Sequence, residues 1–331
     1  MQRASHAEGR WQHAMSTGQA SLVAGEPPVA EAAARWGLAA RGATVEAGSP
    51  PFAFALARRD ELWAAAAGAL YRQAASAQWD PDQAINWHAD FVLSPVIEAA
   101  IVQVMTYLIE NENAALLVPA RHLGQMHPHY REVMQLLALQ CADEARHVEV
   151  FTRRVALRGH EPGLSSAGGQ ASLHTLFEAE DFSQATFLLS VLGEGTFVNL
   201  LNFLYRHAPD PVTRQIARLT ARDEARHVAF GMAHIEHRLE AQPGYRERLR
   251  NAVEQRHDEL AATAGLNDEV FDALVVLAAG ALEPSAVVRG HSAVQKLKRE
   301  MAIGRKSRLA RLGFPADEAE HLAALHTRNF M

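Results

Sequence analysis

The 331-residue chain contains a single cysteine, Cys141, so it cannot form a disulfide within itself. Stability must come from packing, as is usual in a reducing compartment. The chain also lacks an apolar run of the roughly 18 residues that a membrane span requires. Its longest strongly apolar run is Ala273 to Leu282, and its N-terminus, MQRASHAEGRWQH, has no apolar segment of the signal-peptide kind. We therefore expect a cytoplasmic protein without membrane contact.

An excess of basic charge is missing as well. The 32 Lys and Arg residues face 38 Asp and Glu residues, which gives a formal net charge of −6, and the two signs are interspersed rather than blocked. This pattern argues against nucleic acid as a partner. The composition, 48% hydrophobic and 21% charged, is that of a globular protein, and the length is sufficient for a sizeable core.

The period-two alternation of β-strands is almost absent. Four long segments instead have the apolar periodicity of helices: 95 to 123, 130 to 157, 180 to 206 and 212 to 240. The first two and the last two are joined by short connections that contain proline, whereas 159 to 178 forms a long connection between the second and third. Two hairpins joined by one long crossover is the connectivity of a ferritin-like four-helix bundle, so the predicted fold is all-α.

Further segments flank this bundle. Residues 1 to 57 are rich in Gly, Ala, Ser and Pro and are expected to form an N-terminal extension that is partly irregular. Residues 58 to 331 are expected to form one all-helical domain, with the bundle at about 95 to 240. One helix is predicted from 58 to 78, ended by Trp79-Asp80-Pro81. Additional C-terminal helices are predicted near 245 to 264, 267 to 282, 285 to 303 and 316 to 328.

Within the bundle the hexapeptide Asp-Glu-Ala-Arg-His-Val occurs twice, at 143 to 148 and at 223 to 228. Residues three apart on a helix lie about 4.5 Å apart along the axis and about 60° around it, so Glu144 and His147 point the same way. The same holds for Glu224 and His227. One Glu-x-x-His alone is a weak signal, because a solvated helical ion pair explains it. Two copies at matching places in two hairpins favour a duplication that forms one symmetric site.

Each copy is preceded by a glutamate with apolar neighbours. Glu112 lies 32 residues before Glu144, and Glu194 lies 30 residues before Glu224. In an antiparallel hairpin, residues at equal height are equally far from the turn. Both midpoints fall on prolines inside the two short connections, so the glutamates and histidines are predicted to lie at one level of the bundle.

Glu112 is preferred over Glu110 because its neighbours three and four residues away are all apolar, whereas those of Glu110 are largely polar. A buried carboxylate costs several kcal/mol unless a cation compensates it. Four carboxylates and two imidazoles suit iron or manganese better than zinc or copper. The predicted cofactor is therefore a pair of iron ions, with a Mn/Fe pair as an alternative.

An aspartate directly precedes each Glu-x-x-His. Asp143 and Asp223 are placed to accept the outer N–H of a histidine on the facing helix, which would fix its orientation. Plain helix-surface acids are the alternative interpretation. Arg146 and Arg226 are the expected partners of these aspartates and would balance their charge.

This repeated pattern resembles the ferritin-like di-iron carboxylate proteins, which include the ribonucleotide reductase small subunit, bacterial multicomponent monooxygenases, acyl-carrier-protein desaturases and aminobenzoate N-oxygenase. The resemblance covers about 95 to 240. It implies one iron held by Glu112 and His147, the other held by Glu194 and His227, and both bridged by Glu144 and Glu224.

At three positions the sequence differs from particular members of this family. Phe151 stands where the reductase small subunit has its radical-bearing tyrosine, and Val198 stands where the monooxygenases usually have a threonine. Thr220 occupies the position of an additional ligand histidine in aminobenzoate N-oxygenase. A tyrosyl-radical role is therefore not expected. The metal pair is predicted to have six protein ligands.

The expected function is that of a di-iron oxidase or oxygenase that uses O2 to oxidise a small or medium organic substrate. Hydroxylation, N-oxygenation, desaturation and C–C cleavage all remain open. The other expected partners are an external electron donor, such as a ferredoxin or a reductase, and a second copy in a homodimer. The predicted substrate pocket is apolar and is lined by Phe151, Phe187, Phe197, Val198 and Phe230.

Two alternatives come from other classes of protein. The first is iron storage or ferroxidase action, although about 90 residues beyond the bundle are unlike cage-forming ferritins. The second is a helical interaction module that binds no metal.

Overall fold

The computed structural model of the chain describes residues 36–261 and 268–325. Within these ranges the chain is helical and contains no β-strand, apart from one isolated bridge between Leu56 and Met126. The prediction of an all-α fold is confirmed. The first 35 residues of the predicted N-terminal extension lie outside the described residues, as do the predicted helix ends at 264 and 328.

In chain order the described helices are α1 (Arg59–Leu62), α2 (Ala67–Ser76), α3 (Pro81–Ala84), α4 (Pro95–Leu123), a 3-10 turn (Pro128–Tyr130), α5 (Arg131–Ala156), α6 (Ala167–Phe177), α7 (Phe182–Thr186), a π-helical segment (Phe187–Glu194), α8 (Gly195–His207), α9 (Pro211–Ala241), α10 (Tyr245–Ala261), α11 (Asp268–Ala279), α12 (Pro284–Arg311) and α13 (Ala316–Leu325).

The predicted bundle is formed by α4, α5, α9 and the long helix that runs from α7 through the π segment into α8. Helix α4 packs along α5, and α8 packs along α9, so the two predicted hairpins are confirmed. The first hairpin turns through Pro128, and Pro209 lies in the second turn. Asp210 then begins α9, because its carboxylate accepts the backbone N–H of Thr213 and Pro211 occupies the first helical position.

The third bundle helix differs from the regular α-helix that the periodicity predicts. Its middle, Phe187–Glu194, is π-helical, and Glu194 is its last residue. The wider turn is supported from outside the bundle, since Arg308 Nε donates to the carbonyl of Val191 at 2.7 Å. On the other side, Gly231 of α9 lies against Ser190. Such π segments within α-helices occur frequently at functional sites.

Replacing Gly231 by Ala should destabilise the protein by about 1–3 kcal/mol, because a Cβ there would lie 2.7 Å from Ser190 Cβ, and this atom is fixed to the backbone of the π segment. The matched control is Gly68→Ala in α2, where the nearest atom, Glu132 Cγ, is 3.5 Å away. Alanine is the better helix former, so the control should be neutral or stabilising. Urea unfolding of both variants measures the difference. Equal midpoints for the two variants would contradict the close packing of α9 on the π segment.

The flanking segments correct two predictions and add one helix. The single helix predicted from 58 to 78 is broken into α1 and α2, because Trp63 is extended and its carbonyl oxygen lies 3.0 Å from His234 Nδ1 of α9. The long crossover contains a helix, α6, whose first turn is capped by Ser166. Helix α12 runs to Arg311 rather than ending near 303, and Pro284 is its first residue rather than a separator.

These additional helices cover the bundle. Helix α2 packs on α5, α11 packs on α4, and α12 packs on α8 and α11. Helix α10 lies against α6 and α13. The crossover helix therefore lies between the bundle and the C-terminal helices.

One described helix, Phe182–His207, is long and apolar enough to cross a membrane, but 78% of its most apolar window is buried inside the bundle. A further span would have to combine α11 and α12, which are bent by 118° at their junction. The burial of Phe182–His207 is that of a core helix.

Candidate metal centre

The six side chains predicted to form a metal site come together at one level of the bundle. Glu112 projects from α4, Glu144 and His147 from α5, and Glu224 and His227 from α9, while Glu194 ends the π segment. All six are buried, with exposed fractions of 0 to 4%. Glu110, the alternative to Glu112, is only half-buried.

Their ligand atoms form two overlapping groups, in each of which all atoms lie within 4.8 Å of one another. The first group is Glu112, Glu144, His147 and Glu224, and the second is Glu144, Glu194, Glu224 and His227. Glu144 and Glu224 are the members that the two groups share. Each group offers three carboxylates and one imidazole nitrogen.

The two imidazole rings face the carboxylates through the same ring atom. Nδ1 of His147 lies 2.9 Å from Glu144 and 3.4 Å from Glu224, and Nδ1 of His227 lies 3.0 Å from Glu144 and 3.5 Å from Glu224. The ring centroids are 6.4 Å apart. Each Nδ1 therefore faces the carboxylates, as a ligand atom would, while Nε2 points away from the cluster.

Several buried oxygens in the cluster have no hydrogen-bond partner among the described residues. They include one oxygen each of Glu112 and Glu194, and both oxygens of Glu224. Buried carboxylate oxygens that lack donors are strongly unfavourable unless a cation is bound to them. The donor set fits two hard or borderline divalent ions, since carboxylates and imidazoles are the ligands that iron and manganese accept.

The cluster perturbs the pKa values of its own members. Burial, together with the charges of Glu224 and Glu144, raises the pKa of Glu112 well above its usual range, and burial with Glu224 does the same to Glu194. Burial also acts to raise the pKa of Glu144, but the two nearby imidazoles outweigh it and the net pKa is lowered. The raised pKa values favour protonated carboxyl groups at Glu112 and Glu194, so metal ions would compete with protons for these two side chains.

The two imidazoles show the complementary effect. Burial acts to lower the pKa of His147 and His227, but the surrounding carboxylates outweigh it and the net pKa of both rings is raised. Glu112 is the main opposing charge at His147, and Glu144 is the main one at His227.

The aspartates that precede the motifs contact the histidines of the facing helix. Nε2 of His147 lies 3.2 Å from Asp223, and Nε2 of His227 lies 3.3 Å from Asp143. Each arginine also contacts both helices, since Arg146 donates hydrogen bonds to Asp143 and Asp223, and Arg226 donates to the same two aspartates. These contacts orient both rings so that Nδ1 faces the cluster.

Sequence reasoning missed three residues beside the cluster. Trp79 Nε1 donates to Asp223 at 2.7 Å, and Gln78 Nε2 donates to Asp143 at 2.9 Å. Gln140 Nε2 donates to Glu194 at 3.1 Å. For Trp79, 144 residues from its partner, the sequence carries no signal. Gln140 lies one turn before Glu144 in an otherwise apolar stretch, which was the available clue.

A narrow cavity of about 20 Å³, room for about one water molecule, adjoins the cluster. Glu112, Glu194 and Glu224 form one part of its wall, and Asn111 and Arg256 are its other polar residues. The remaining lining is apolar or glycine: Ala115, Leu176, Leu188, Leu189, Gly193 and Phe197.

Of the five residues predicted to line a substrate pocket, only Phe197 belongs to this lining. Phe187 stacks on Phe314, and Val198 is half-buried on α8. Phe230 lines a separate small cavity with His122 and Gln140, and Phe151 is fully buried near His147. The other four lie elsewhere because α6 and the π segment, which the periodicity does not predict, supply most of the apolar wall of this cavity.

Comparison with solved structures shows which fold surrounds this cluster. A protein from Synechococcus with aldehyde deformylating oxidase activity matches with a TM-score of 0.50 and 18% identity, over 69% of this chain and 96% of its own. The R2-like ligand-binding oxidase from Sulfolobus acidocaldarius matches with a TM-score of 0.54 and 15% identity, over 76% and 93%. A variant R2-like ligand-binding oxidase with an anaerobically reconstituted Mn/Fe cofactor matches with a TM-score of 0.55 and 20% identity, over 74% and 94%.

The chain has the ferritin-like fold. The predicted resemblance to the ferritin-like superfamily is confirmed at the level of the fold. No protein-family model matches the chain, and no curated protein sequence matches it. At identities of 15 to 20% the three structures establish the fold, and the chemistry must be argued from the side chains.

Proposed function

We propose that this ferritin-like chain binds two iron ions and acts as an O2-dependent oxidoreductase on an organic substrate, with manganese able to replace one iron. The observation that carries this proposal is the group of partnerless buried carboxylate oxygens inside two overlapping sets of ligand atoms. The similar structures support it, because two are named as ligand-binding oxidases and one as a protein with oxidase activity on aldehydes.

Glu112 and His147 would hold one ion, and Glu194 and His227 the other, while Glu144 and Glu224 would contact both. The chemistry that such a metal pair supplies is the reduction of O2 coupled to oxidation of a bound organic molecule. The chain itself holds the ligands in a buried site, orients both imidazoles through Asp143 and Asp223, and limits the entry of water.

The finer features of the function are also proposals. They are an external electron donor, a cytoplasmic location and a homodimer. The reaction outcome stays open among hydroxylation, N-oxygenation, desaturation and C–C cleavage. Iron storage is less well supported, because α10 to α13 add four helices to the bundle, whereas a cage-forming ferritin is little more than the bundle. A metal-free interaction module would leave the buried carboxylate oxygens uncompensated.

The test is to load the purified protein with Fe(II) under anaerobic conditions, count iron per chain, and mix it with O2 in a stopped-flow spectrometer. We expect about two irons per chain, as in other carboxylate-bridged bundles, and a transient absorbing species. Fewer than two irons or no transient would contradict the proposal. Continued mineral growth in a large cage would instead indicate an iron-storage protein.

Replacing Glu112 by Gln should lower the iron content to about one per chain, since Glu112 contributes to only one of the two ligand groups. Glu110→Gln is the matched control, because this residue lies on the same helix and is only half-buried. Its iron content should equal that of the wild type. Plasma emission spectrometry on desalted protein measures both variants, and an equal loss in both would show that Glu112 is not the ligand.

A further inference from the structure

One turn of α12 lies against the segment that carries Glu194. Arg308 Nε donates to the carbonyl oxygen of Val191 at 2.7 Å, three residues before this glutamate. Arg305 Nη1 donates to Thr196 Oγ1 at 3.1 Å, two residues after it. Helix α12 lies outside the four-helix bundle. Two arginines from outside the bundle therefore contact the chain on both sides of a predicted metal ligand.

The π segment needs a donor from outside because its bonding pattern changes where it ends. The backbone N–H of Gly195 bonds to the carbonyl oxygen of Ser190, five residues earlier, which is the π-helical pattern. Where this pattern returns to that of the α-helix, the backbone donors pass over one carbonyl oxygen, and a buried carbonyl without a donor is unfavourable. Val191 carries the next carbonyl oxygen, and Arg308 is a donor to it. Arg308 therefore stabilises the end of the π segment.

Arg305 acts on the following carbonyl through a hydroxyl group. Thr196 Oγ1 accepts from Arg305 and donates to the carbonyl oxygen of Leu192 at 2.7 Å. Both side chains are buried, with exposed fractions of 0% for Thr196 and 1% for Arg305. Two consecutive carbonyl oxygens of the π segment are thus bonded to α12, the first directly and the second through Thr196.

The Arg308 guanidinium occupies a space that a glycine leaves open. A Cβ on Gly195, the residue directly after Glu194, would lie 2.4 Å from Arg308 Cζ and 2.6 Å from its Nε and its Nη2. No side chain fits there while the guanidinium keeps its position. Helix α12 and the residue beside Glu194 are therefore fitted closely to each other.

We propose that Arg308, assisted by Arg305, is a positioning residue that keeps Glu194 turned toward the metal centre. The inference rests on the proposed function, because it concerns a metal ligand. A π turn holds one residue more than an α turn, so its loss would rotate Glu194 by about 100° around the helix axis. The carboxylate would then leave its group of ligand atoms.

This role predicts an effect on one metal ion only. Glu194 belongs to one of the two ligand groups, whereas Glu144 and Glu224 belong to both. Loss of the Arg308 contact should therefore weaken the binding of one iron and leave the other unchanged. A general loss of stability would weaken both.

Competition for Fe(II) between the full-length protein and a coloured chelator, under anaerobic conditions, measures the affinity for each iron. In Arg308→Met we expect the affinity for one iron to fall about 10- to 100-fold, the range for loss of a group that orients a metal ligand. Arg308→Lys keeps a donor for the carbonyl of Val191 and should recover much of the loss. Arg299→Met, at an exposed position of the same helix, is the matched control and should bind both irons as the wild type does.

Gly195→Ala tests the same contact from the other side. Alanine is the better helix former, so its effect on the helix alone would not weaken iron binding. Its Cβ would displace the Arg308 guanidinium, and we expect the same selective loss of one iron. Combining Gly195→Ala with Arg308→Met should add little to either single loss, because both variants remove one contact.

Unchanged affinity for both irons in Arg308→Met, or an equal fall for both, would overturn the inference. Additive losses in the double variant would overturn it as well. Circular dichroism checks the folding of every variant, and Arg308→Lys and Gly195→Ala carry the test if Arg308→Met does not fold. A wild-type protein that binds fewer than two irons would contradict the proposed function itself, which separates that failure from a failure of the Arg308 contact.

Discussion

Replacing Glu144 by Gln should abolish stable binding of both metal ions and with it all O2-dependent oxidation. Glu144 belongs to both ligand groups, and its oxygens lie 2.9 Å and 3.0 Å from Nδ1 of the two histidines. The amide keeps the size of the side chain but loses the charge that both ions share. Iron affinity should fall by more than about 100-fold. Loss of only the hydrogen-bond partner of a metal ligand already lowers metal affinity by about 10- to 100-fold, and here the ligand itself is lost.

Glu149→Gln is the matched control for Glu144, because it lies on the same helix and is exposed. It should retain about two irons per chain and the wild-type stopped-flow trace. Iron counting after desalting, together with O2 consumption, measures both variants. If Glu144→Gln retained two irons, Glu144 would not bridge the ions, and the assignment of the shared ligands would have to be abandoned.

Replacing Arg154 by Met should destabilise the fold by about 3–5 kcal/mol, which is the usual cost of removing one partner of a buried ion pair. Arg154 is fully buried and lies between Glu98 of α4 and Asp210 at the start of α9. Its Nη1 donates to Glu98 at 2.6 Å, its Nη2 to Asp210 at 3.1 Å and its Nε to Thr213 at 2.9 Å. Methionine fills much of the same space but leaves two buried carboxylates without a cation.

The control for Arg154→Met is Arg153→Met, which removes the exposed ion pair with Asp82 and should cost about 0–1 kcal/mol. Urea unfolding of metal-free protein keeps metal binding from obscuring the difference. Adding Glu98→Gln to Arg154→Met should recover part of the loss, since one unpaired buried charge is then removed. A loss no larger than that of Arg153→Met would mean that the buried pairs hold α4, α5 and α9 together only weakly.

Local periodicity was sufficient to predict the four bundle helices and the meeting of the six side chains. A carboxylate and an imidazole three residues apart share a helix face wherever the helix is regular, and α5 and α9 are regular at their motifs. The two hairpin turns supplied the remaining information, because equal distances from a turn place residues at equal height. The choice of Glu112 over Glu110 likewise needed only the identity of neighbours along one helix.

The sequence by itself therefore determined the all-α fold, the two hairpins and the composition of the carboxylate and imidazole cluster. Only the tertiary structure decided that the helix before Glu194 is π-helical, that Trp79 reaches Asp223, and that Arg256 lies in the cavity wall. The physical reason is the separation of the partners along the chain. Arg308 supports a carbonyl 117 residues away and Arg256 bonds to a hydroxyl 81 residues away. Contacts of that kind follow from how whole helices pack, and they leave no repeating pattern in the local sequence.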